Sequence, residues 1–433
     1  MRRSGPDMQA RHPRGANDWC RPFRAAGLLV IVALAAGAGV PRGDGLVATP
    51  VLPEPVYAAS FTDPAFGTTI HRVTEPGRLL APGVRCAKGA CRHRYSSTQA
   101  WNADQSVLLI DKGCSDLCFL DGQSFAPLFM RQTQNDHDCK WHPRDPETMV
   151  CVRADAVELW RPRANTWRTL YEPTARSHLE FGPYKGNVSQ DGRRIAVRAI
   201  DSRADLVAFV LELDTGRALP AFSLGSLEGV NQHVLISASG RYVVVAQITE
   251  DGREPTYVFT SDGKLVQHWP EHHRPGHGDV ALDADGEDVY VGVSKSEPDE
   301  FRVIKRRLRD GVVTALLPHG DAGHVSARNT TRPGWVVVSF AGTFEHTRDM
   351  AYPAPFYSEI VAVRLDGAAV RRIAHARAAL HDYLAEIHAT PSPDGARVIF
   401  ASNWGRAGGP VSSYVAEIEP PLSSDVAATA IPR

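Results

Sequence analysis

A strand–turn–strand pattern that recurs from residue 101 onward restricts the fold of this chain more than any other feature of its sequence. Each copy places a turn such as S-x-D-G or N-A-D-Q between two segments rich in apolar and β-branched residues. The copies are WNADQSVLLI (101–110), WHPRDPETMVCV (141–152), VSQDGRRIAVRA (188–199), ISASGRYVVVA (236–246), LDADGEDVYVGV (282–293), ARNTTRPGWVVVSF (327–340) and PSPDGARVIFAS (391–402). The turns lie at Asp104, Asp145, Asp191, Ser239, Asp285, Pro333 and Asp394, at intervals of 41, 46, 48, 46, 48 and 61 residues. Repeats of about 40–50 residues that hold four strands each are typical of β-propeller blades.

Further strands and the two ends of the repeat region complete this prediction. A third strand with its own turn follows most copies, as in VAFVLELDTGRAL (207–219), and no segment has the pattern of a long amphipathic helix. The segment GTTIHRVTE (67–75) precedes the first copy and has no partner of its own, while SSYVAEIE (412–419) ends the last. We therefore predict an all-β chain, a seven-bladed β-propeller over 61–421, closed by pairing of this N-terminal strand with the last blade. Closure removes exposed sheet edges; a miscounted repeat would give six or eight blades instead.

The N-terminus has the pattern of an export signal. Six arginines precede an uncharged run of 16 residues, 25–40, which ends in small residues with A-x-A motifs. The run is shorter than the ~20 residues of a membrane-spanning helix. We predict a signal peptide at 1–40, a proline-rich linker at 41–60 and a C-terminal tail at 422–433. The protein is then periplasmic or secreted, with no membrane span after cleavage; an uncleaved anchor is the alternative.

Cysteine usage agrees with export. Of seven cysteines, Cys20 lies in the predicted signal and six remain in the mature chain. An even number in an exported protein predicts disulfides. The local pairs are Cys86–Cys91, Cys114–Cys118 and Cys139–Cys151, although fifteen pairings are possible. A zinc site is the weaker interpretation, because no C-x-x-C motif occurs.

Charge excludes one large class of partner. The chain has 48 Lys and Arg residues against 49 Asp and Glu, for a net charge near −1. This balance lacks the basic footprint of a nucleic-acid-binding protein. We therefore predict no nucleic-acid partner.

Unusual polar residues precede the turns of the repeats. In a propeller the innermost strand of each blade begins at the central channel, so these positions are expected to share one mouth. They hold His93, Asp136, His137, Lys185, Gln232, His233, His277, Asp279, His324, Glu386 and His388. Because residues i and i+2 share a strand face, we expect His277 beside Asp279, and Glu386 beside His388. Imidazoles with a carboxylate suit a divalent transition metal such as Mn, Fe or Zn; alternatively, such residues only line a wet channel.

The start of the repeat region resembles a known group of exported propellers. The motif D-P-x-F-G-x-x-I-x-R-x-T (63–74) and the S-x-D-G turns before β-branched strands are similar to the propellers related to the Tol-system periplasmic propeller. The resemblance implies a propeller outside the cytoplasm with a periplasmic protein or a glycan as partner. Prolyl oligopeptidases share such propellers, but this chain has no G-x-S-x-G motif.

A second resemblance concerns the last blade. The segment E-I-H-A-T-P-S-P-D-G (386–395) is similar to the metal-binding segment of the oligogalacturonate lyase family. That family has a seven-bladed propeller with a Mn²⁺ site of several histidines and a glutamine, and cleaves pectic oligosaccharides by β-elimination. The resemblance implies that His388 and His324 are metal ligands. Glu386 takes the place of a further ligand histidine, and Tyr383 that of the glutamine.

The same resemblance assigns candidate catalytic residues. His277, in G-H-G-D, takes the place of the family's catalytic histidine, and Arg253 is a looser counterpart of its catalytic arginine. Either would take the α-proton of a uronate whose carboxylate is polarised by the metal. Candidate substrate-binding residues are His93, His137, Lys185, His233, Asp279 and Arg328.

The sequence thus favours one function and leaves a second open. The first is a metal-dependent carbohydrate-active enzyme, a β-eliminating lyase on uronate oligosaccharides, with Mn preferred over Zn or Fe. The second is a non-catalytic periplasmic propeller that binds a protein or a glycan.

Overall fold

The fold was examined in a computed structural model. It describes residues 47–114, 117–132, 137–182, 185–270, 275–318, 320, 322–340, 355–380, 382–420 and 422. The predicted signal peptide, Asp136 and residues 423–433 of the predicted tail lie outside these ranges. Within them the chain forms 31 strands and one short 3₁₀ helix, and no helix in this part of the chain has the length and hydropathy to cross a bilayer.

Seven small antiparallel sheets form the blades, as the repeat pattern predicts. Before the first blade come five short strands: β1 (Ser60–Thr62), β2 (Thr69–Arg72), β3 (Leu79–Ala81), β4 (Val84–Arg85) and β5 (Ala90–Cys91). Blades 1 and 2 contain β6 (Val107–Ile110), β7 (Leu117–Asp121) and β8 (Pro127–Arg131), then β9 (Asp138–Trp141), β10 (Met149–Arg153), β11 (Ala156–Arg161) and β12 (Thr166–Tyr171). Blades 3 and 4 contain β13 (Arg176–Glu180), β14 (Arg194–Asp201), β15 (Leu206–Glu212) and β16 (Phe222–Ser223), then β17 (Val230–Ile236), β18 (Tyr242–Ile248), β19 (Thr256–Thr260) and β20 (Leu265–Trp269).

The remaining strands form the last three blades. Blades 5 and 6 contain β21 (Pro275–Leu282), β22 (Asp288–Ser294), β23 (Val303–Arg307) and β24 (Val313–Ala315), then β25 (Ala322–Ser326), β26 (Trp335–Phe340), β27 (Glu359–Arg364) and β28 (Val370–His375). Blade 7 contains β29 (Thr390–Pro391), β30 (Arg397–Ser402) and β31 (Val411–Glu417), preceded by the 3₁₀ helix Tyr383–Ala385.

The N-terminal strand closes the ring, as predicted. β2 pairs antiparallel with β31, with Ile70 opposite Ala416 and Arg72 opposite Tyr414. β1 continues the same sheet outside β2, so blade 7 combines strands from both ends of the chain.

The S-x-D-G turns form because their side chains replace missing backbone hydrogen bonds. In the turn of blade 7, Ser392 Oγ donates to Asp394 Oδ1 at 2.7 Å, and the same carboxylate oxygen accepts the Ala396 N–H at 3.0 Å. Gly395 has φ +67°, a left-handed conformation that glycine adopts without steric cost. These turns join the first and second strands at one face of the ring, so the innermost strands begin at the opposite face, which we call the mouth.

The three local disulfides are confirmed. Cys86–Cys91, Cys114–Cys118 and Cys139–Cys151 are bonded. Cys139 and Cys151 lie directly opposite each other on β9 and β10, as their hairpin spacing predicts. All three lie in the first part of the ring and stabilise it by restricting the unfolded chain.

Candidate functional site

Irregular pairing at the mouth positions the candidate residues. In four consecutive blades the register between the first and second strands shifts near the mouth end: between Ser177 and Glu180, Asn231 and His233, Gly276 and Asp279, and Ala322 and His324. A bulge bends the strand and redirects the side chains beside it. The mouth is therefore lined by side chains that a regular strand would place differently.

Three blades bring four of the predicted residues together at the mouth. Glu386 Oε2 lies 2.8 Å from His388 Nε2 and 3.5 Å from His324 Nε2. One ligand atom from each of these three residues lies within 4.8 Å of the others. His277 adjoins the group through its Nδ1, which is 3.2 Å from His324 Nε2. Below, His324, Glu386 and His388 are called the histidine cluster.

Two of the histidines have a backbone conformation that is rare for their residue type. His277 has φ +46° and His388 has φ +45°. A left-handed non-glycine residue costs on the order of 1–3 kcal/mol, and such residues concentrate at functional sites. At both positions the ring lies against that of His324. The ring centres of His277 and His324 are 5.0 Å apart, and those of His388 and His324 are 4.3 Å apart.

A buried arginine fixes the cluster from behind. The Arg92 guanidinium donates to the carbonyl oxygens of Leu384 and Glu386 at 2.6 and 2.7 Å, and its Nη2 lies 2.6 Å from His388 Nδ1. The His388 ring also hydrogen-bonds to the carbonyl of Arg94. Because a guanidinium only donates hydrogen bonds, the His388 Nδ1 that faces Arg92 is the acceptor of this contact.

Burial shifts the proton equilibria of the cluster towards neutral forms. Desolvation holds the pKa of His324 well below its usual value, and the neighbouring His277 and Lys185 add to this effect. Desolvation likewise lowers the pKa of His388, with Arg92 contributing. The pKa of Glu386 is raised by burial, which the charge of Arg92 opposes in part. At neutral pH both imidazoles are therefore uncharged.

These residues fit a divalent transition metal. Ligands at about 2.0–2.2 Å from one ion lie roughly 3–3.5 Å from each other, and the distances of 2.8 and 3.5 Å within the cluster bracket this range. Two nitrogens and one carboxylate oxygen form a donor set suited to Mn, Fe or Zn.

Two tyrosines cover one side of the cluster. The Tyr95 ring lies 4.7 Å from that of His388 and 5.0 Å from that of His324. The Tyr383 ring lies 5.0 Å from His388, and the two tyrosine rings are parallel at 6.5 Å. A cavity of about 630 Å³ opens beside this pair and is also lined by Lys185.

Asp279 and Arg328 are paired with each other. Both are buried, and the guanidinium of Arg328 binds the Asp279 carboxylate through two hydrogen bonds, at 2.8 and 2.7 Å. We expected Asp279 beside His277; the structure binds its carboxylate to Arg328, and the strand register shifts between Gly276 and Asp279, where His277 has a left-handed backbone.

The other predicted residues lie in different surroundings. His93 is buried and donates from Nε2 to the His388 carbonyl at 2.7 Å, so it supports the backbone of the cluster. His137 lies 2.9 Å from Glu158 in a separate cavity beside Trp167. His233 is buried on β17.

Arg253 lies on the loop between β18 and β19. Its side chain is 41% exposed and forms ion pairs with Glu228 at 2.5 Å and Asp251 at 2.8 Å. Hydrogen bonds with these carboxylates raise the pKa of Arg253. The structure therefore brings His277, but not Arg253, into contact with the cluster.

Sequence reasoning missed the roles of Tyr95 and Arg92. Both belong to the segment R-H-R-Y (92–95), which follows β5 rather than a repeat turn. Its density of polar residues directly after a cysteine was the available signal. What such a segment contacts depends on ring closure, which brings residues 92–95 against 384–388.

Comparison with solved structures shows the same architecture elsewhere. A structure described as oligogalacturonate lyase in complex with manganese has a TM-score of 0.57 and 15% identity, and the alignment covers 83% of this chain and 96% of that one. This chain shares the propeller fold of oligogalacturonate lyase. A second such lyase, from Vibrio parahaemolyticus, has a TM-score of 0.54 and 11% identity, with the same coverage of 83% and 96%.

A third solved structure matches this chain less well. It is described as a TolB from Agrobacterium tumefaciens, with 18% identity, coverage of 61% of this chain and 91% of that one, and a TM-score of 0.34, too low to support an argument. No family model and no curated protein matches the sequence. At these identities the likeness to oligogalacturonate lyase shows the fold alone.

Proposed function

We propose that this chain is an exported, metal-dependent enzyme that cleaves uronate-containing oligosaccharides by β-elimination. The observation that carries the proposal is the convergence of His324, Glu386 and His388 at the mouth, with His277 in contact with His324. The propeller fold shared with a lyase described in complex with manganese supports it. Three disulfides support export, because they persist in oxidising compartments.

The histidine cluster would hold the metal, with Mn preferred and Zn or Fe as alternatives. A divalent cation bound there supplies Lewis-acid polarisation of a uronate carboxylate. The protein contributes a neutral pair of imidazoles, a carboxylate, and Arg92 behind them. Tyr95 and Tyr383 restrict the access of water to one side of the cluster.

His277 is the proposed base. It takes the proton α to the carboxylate, a double bond forms between the α- and β-carbons, and the β-oxygen leaves with its electron pair as the departing sugar. Arg253 is the weaker candidate, because its two carboxylate partners stabilise the charged form and a base must be uncharged.

Metal content and product formation test this proposal together. We expect purified wild-type protein to hold about one equivalent of Mn, Fe or Zn, and His324→Ala and His388→Ala to lose it. His268→Ala is a matched control, because His268 lies on the outer strand β20 and stacks on Tyr257. With uronate oligosaccharides, wild type and control should form the unsaturated product, detected by ultraviolet absorbance.

Two outcomes would contradict the lyase function. One is wild-type protein that holds no metal even after incubation with Mn, Fe or Zn salts. The other is a metal-loaded protein that forms no unsaturated product from any uronate oligosaccharide. Either would favour the non-catalytic propeller that binds a protein or a glycan.

A further inference from the structure

A second cavity lies at the boundary between blades 1 and 2. Its volume of about 460 Å³ is within the range of about 300–1,000 Å³ that is usual for ligand pockets. We call it the Trp167 cavity, and its lining consists of Gln132, His137, Arg153, Glu158, Asn165 and Trp167. The guanidinium of Arg131, on β8 of blade 1, donates to the carbonyls of Pro162 and Arg163 between β11 and β12 of blade 2, at 2.8 and 2.9 Å. Because Gln132 follows Arg131 directly, these bonds fix one wall of the cavity against the other.

The Trp167 cavity is separate from the cavity beside the histidine cluster. His137 lines it and contacts Glu158 at 2.9 Å. The next residue, Asp138, instead lines the cavity beside Tyr95 and contacts Arg94 at 2.6 Å. The described residues that line the two cavities do not overlap. A ligand in the Trp167 cavity would therefore bind apart from the histidine cluster.

Trp167 gives this cavity a rigid aromatic surface. It is 38% exposed, the most of any tryptophan in the described ranges. Its indole stacks on that of the fully buried Trp160, with 4.8 Å between the ring centres and 8° between the planes. Trp160 Nε1 in turn donates to Asn165 Oδ1 at 3.2 Å. An exposed indole that the fold already holds in place loses little conformational freedom when a ligand covers it, so Trp167 is a suitable anchor for the apolar face of a ligand.

Beside this ring lie groups that donate and groups that accept hydrogen bonds. Glu158 Oε2 contacts His137 Nε2 at 2.9 Å and Arg153 Nε at 3.4 Å. The carboxylate accepts hydrogen bonds, the guanidinium donates them, and the side-chain amides of Gln132 and Asn165 can do both. Such neighbouring donors and acceptors suit hydroxyl groups, because each hydroxyl both donates and accepts.

The charges of the lining favour a neutral ligand. Glu158 would repel an anion and Arg153 would repel a cation, and their contact with each other offsets both charges. A flat indole beside paired donors and acceptors matches a pyranose ring, which presents C–H groups on its face and hydroxyl groups on its edge.

We propose that the Trp167 cavity binds a neutral sugar unit of a glycan chain. The C–H face of the sugar lies on Trp167, and its hydroxyl groups bond to Glu158 and Arg153. This site adds to the chain a binding function that depends neither on a metal nor on elimination. It would hold a glycan at blades 1 and 2 and leave the histidine cluster accessible.

Titration calorimetry with neutral oligosaccharides tests this proposal. The probes are cellohexaose, xylohexaose, mannohexaose and maltohexaose, each titrated into the purified wild-type protein. We expect at least one of them to bind with a Kd below about 1 mM. Added salt should leave its affinity nearly unchanged, because the ligand carries no charge. Trp167→Ala should raise this Kd more than about 10-fold, as the loss of an aromatic anchor does.

Matched variants make the result specific. Leu265→Ala removes an exposed apolar residue from β20, the outer strand of blade 4, and should leave the Kd unchanged. His388→Ala should also leave it unchanged, and Trp167→Ala should keep the metal content of wild type. Arg153→Met is the second test within the cavity if Trp167→Ala is unstable, because Arg153 is partly exposed. It should raise the Kd about 10–100-fold, the loss of a charge-assisted hydrogen bond.

Three outcomes would overturn the proposal. They are binding of none of the four oligosaccharides, binding that both cavity variants retain at full affinity, and binding that His388→Ala abolishes, which would place the sugar at the histidine cluster. A protein that binds a neutral oligosaccharide through Trp167 but holds no metal would uphold this site and refute the lyase function.

Discussion

The histidine cluster and the junction that closes the ring are both built from buried ionisable groups, but they handle charge in opposite ways. At the junction, Asp63 precedes β2, and its Oδ2 lies 3.2 Å from Arg377 Nη1 and accepts the His375 backbone N–H at 3.3 Å. In the cluster, the Glu386 carboxylate contacts the two histidines His324 and His388, and His277 adjoins His324.

The pKa shifts follow this difference. Burial alone would raise the pKa of Asp63, but hydrogen bonds from His375 and the Ala65 N–H, together with the charge of Arg377, lower it to about 2. In the cluster, burial dominates, lowering the pKa of both histidines and raising that of Glu386. The junction keeps its charges and gains stability, whereas in the cluster burial lowers the pKa of the imidazoles and keeps them uncharged. Burial of ionisable groups alone therefore does not identify a functional site. The difference lies in whether oppositely charged partners surround those groups.

The largest effect is expected from a change in the mouth that leaves the metal ligands intact. His277→Asn should lower the rate of elimination about 10²–10⁴-fold, the usual contribution of a general base. Asparagine tolerates the left-handed backbone of this position. Metal content should equal that of wild type. Loss of metal along with activity would instead make His277 a fourth ligand and redraw the cluster.

Arg92→Lys should weaken metal affinity about 10–100-fold, as expected for a residue that orients a ligand. Lysine keeps the charge but not the fork that joins His388 to the 384–386 carbonyls. Competition with a metal-binding dye would measure the affinity. Arg328→Lys is the control, because this equally buried guanidinium binds only within the Asp279 pair and the nearby backbone. Equal losses of metal affinity in the two variants would show that the effect comes from general destabilisation.

Asp63→Asn should reduce the free energy of unfolding by about 2 kcal/mol. The folded protein lowers the pKa of Asp63 from 3.8 to about 2, and this difference is the free energy by which folding favours the charged carboxylate. Denaturant unfolding at neutral pH would measure the loss. Metal content should not change, since Asp63 supports the ring and not the mouth. If the variant loses metal while its stability is unchanged, Asp63 acts on the mouth and not on ring closure, and the contrast between the two regions is wrong.

The smallest expected effect is a change in acid sensitivity. The folded-state pKa of Asp63, about 2, is below its ordinary value of 3.8, so its stabilisation is complete above pH 3.8 and is lost as pH falls towards 2. Between these values, stability should therefore fall less steeply in Asp63→Asn than in wild type. If stability falls equally steeply with pH in the two proteins over this range, Asp63 is not the cause of the acid-dependent loss.

Residues near the junction show how far sequence reasoning reaches. The D-P-x-F-G motif and the strand at 67–75 predicted the closing pair, and β2 pairs with β31 as expected. The function of Asp63 within that motif was not predictable, because its partners His375 and Arg377 lie more than 300 residues away in the chain. A pattern within one segment carries no information about which distant segment covers it.

The same limit applies at the mouth. The spacing of Glu386 and His388 predicted that they lie side by side, and they do, at 2.8 Å. At the equal spacing of His277 and Asp279 the register of β21 shifts, and the Asp279 carboxylate is bound by Arg328. Spacing alone therefore does not decide which side chains meet, because a bulge redirects the side chains beside it.

The sequence by itself determined the architecture: the strand-and-turn repeat specifies seven blades, the orphan N-terminal strand specifies closure, and the cysteine spacing specifies three local disulfides. These features depend on short-range hydrogen bonds and side-chain alternation, which a linear pattern contains. Only the tertiary structure decided which polar residues of the mouth meet and that Arg92 supports His388. Charge balance in a buried site is a property of neighbours in space, and the closed ring chooses those neighbours from blades far apart in the chain.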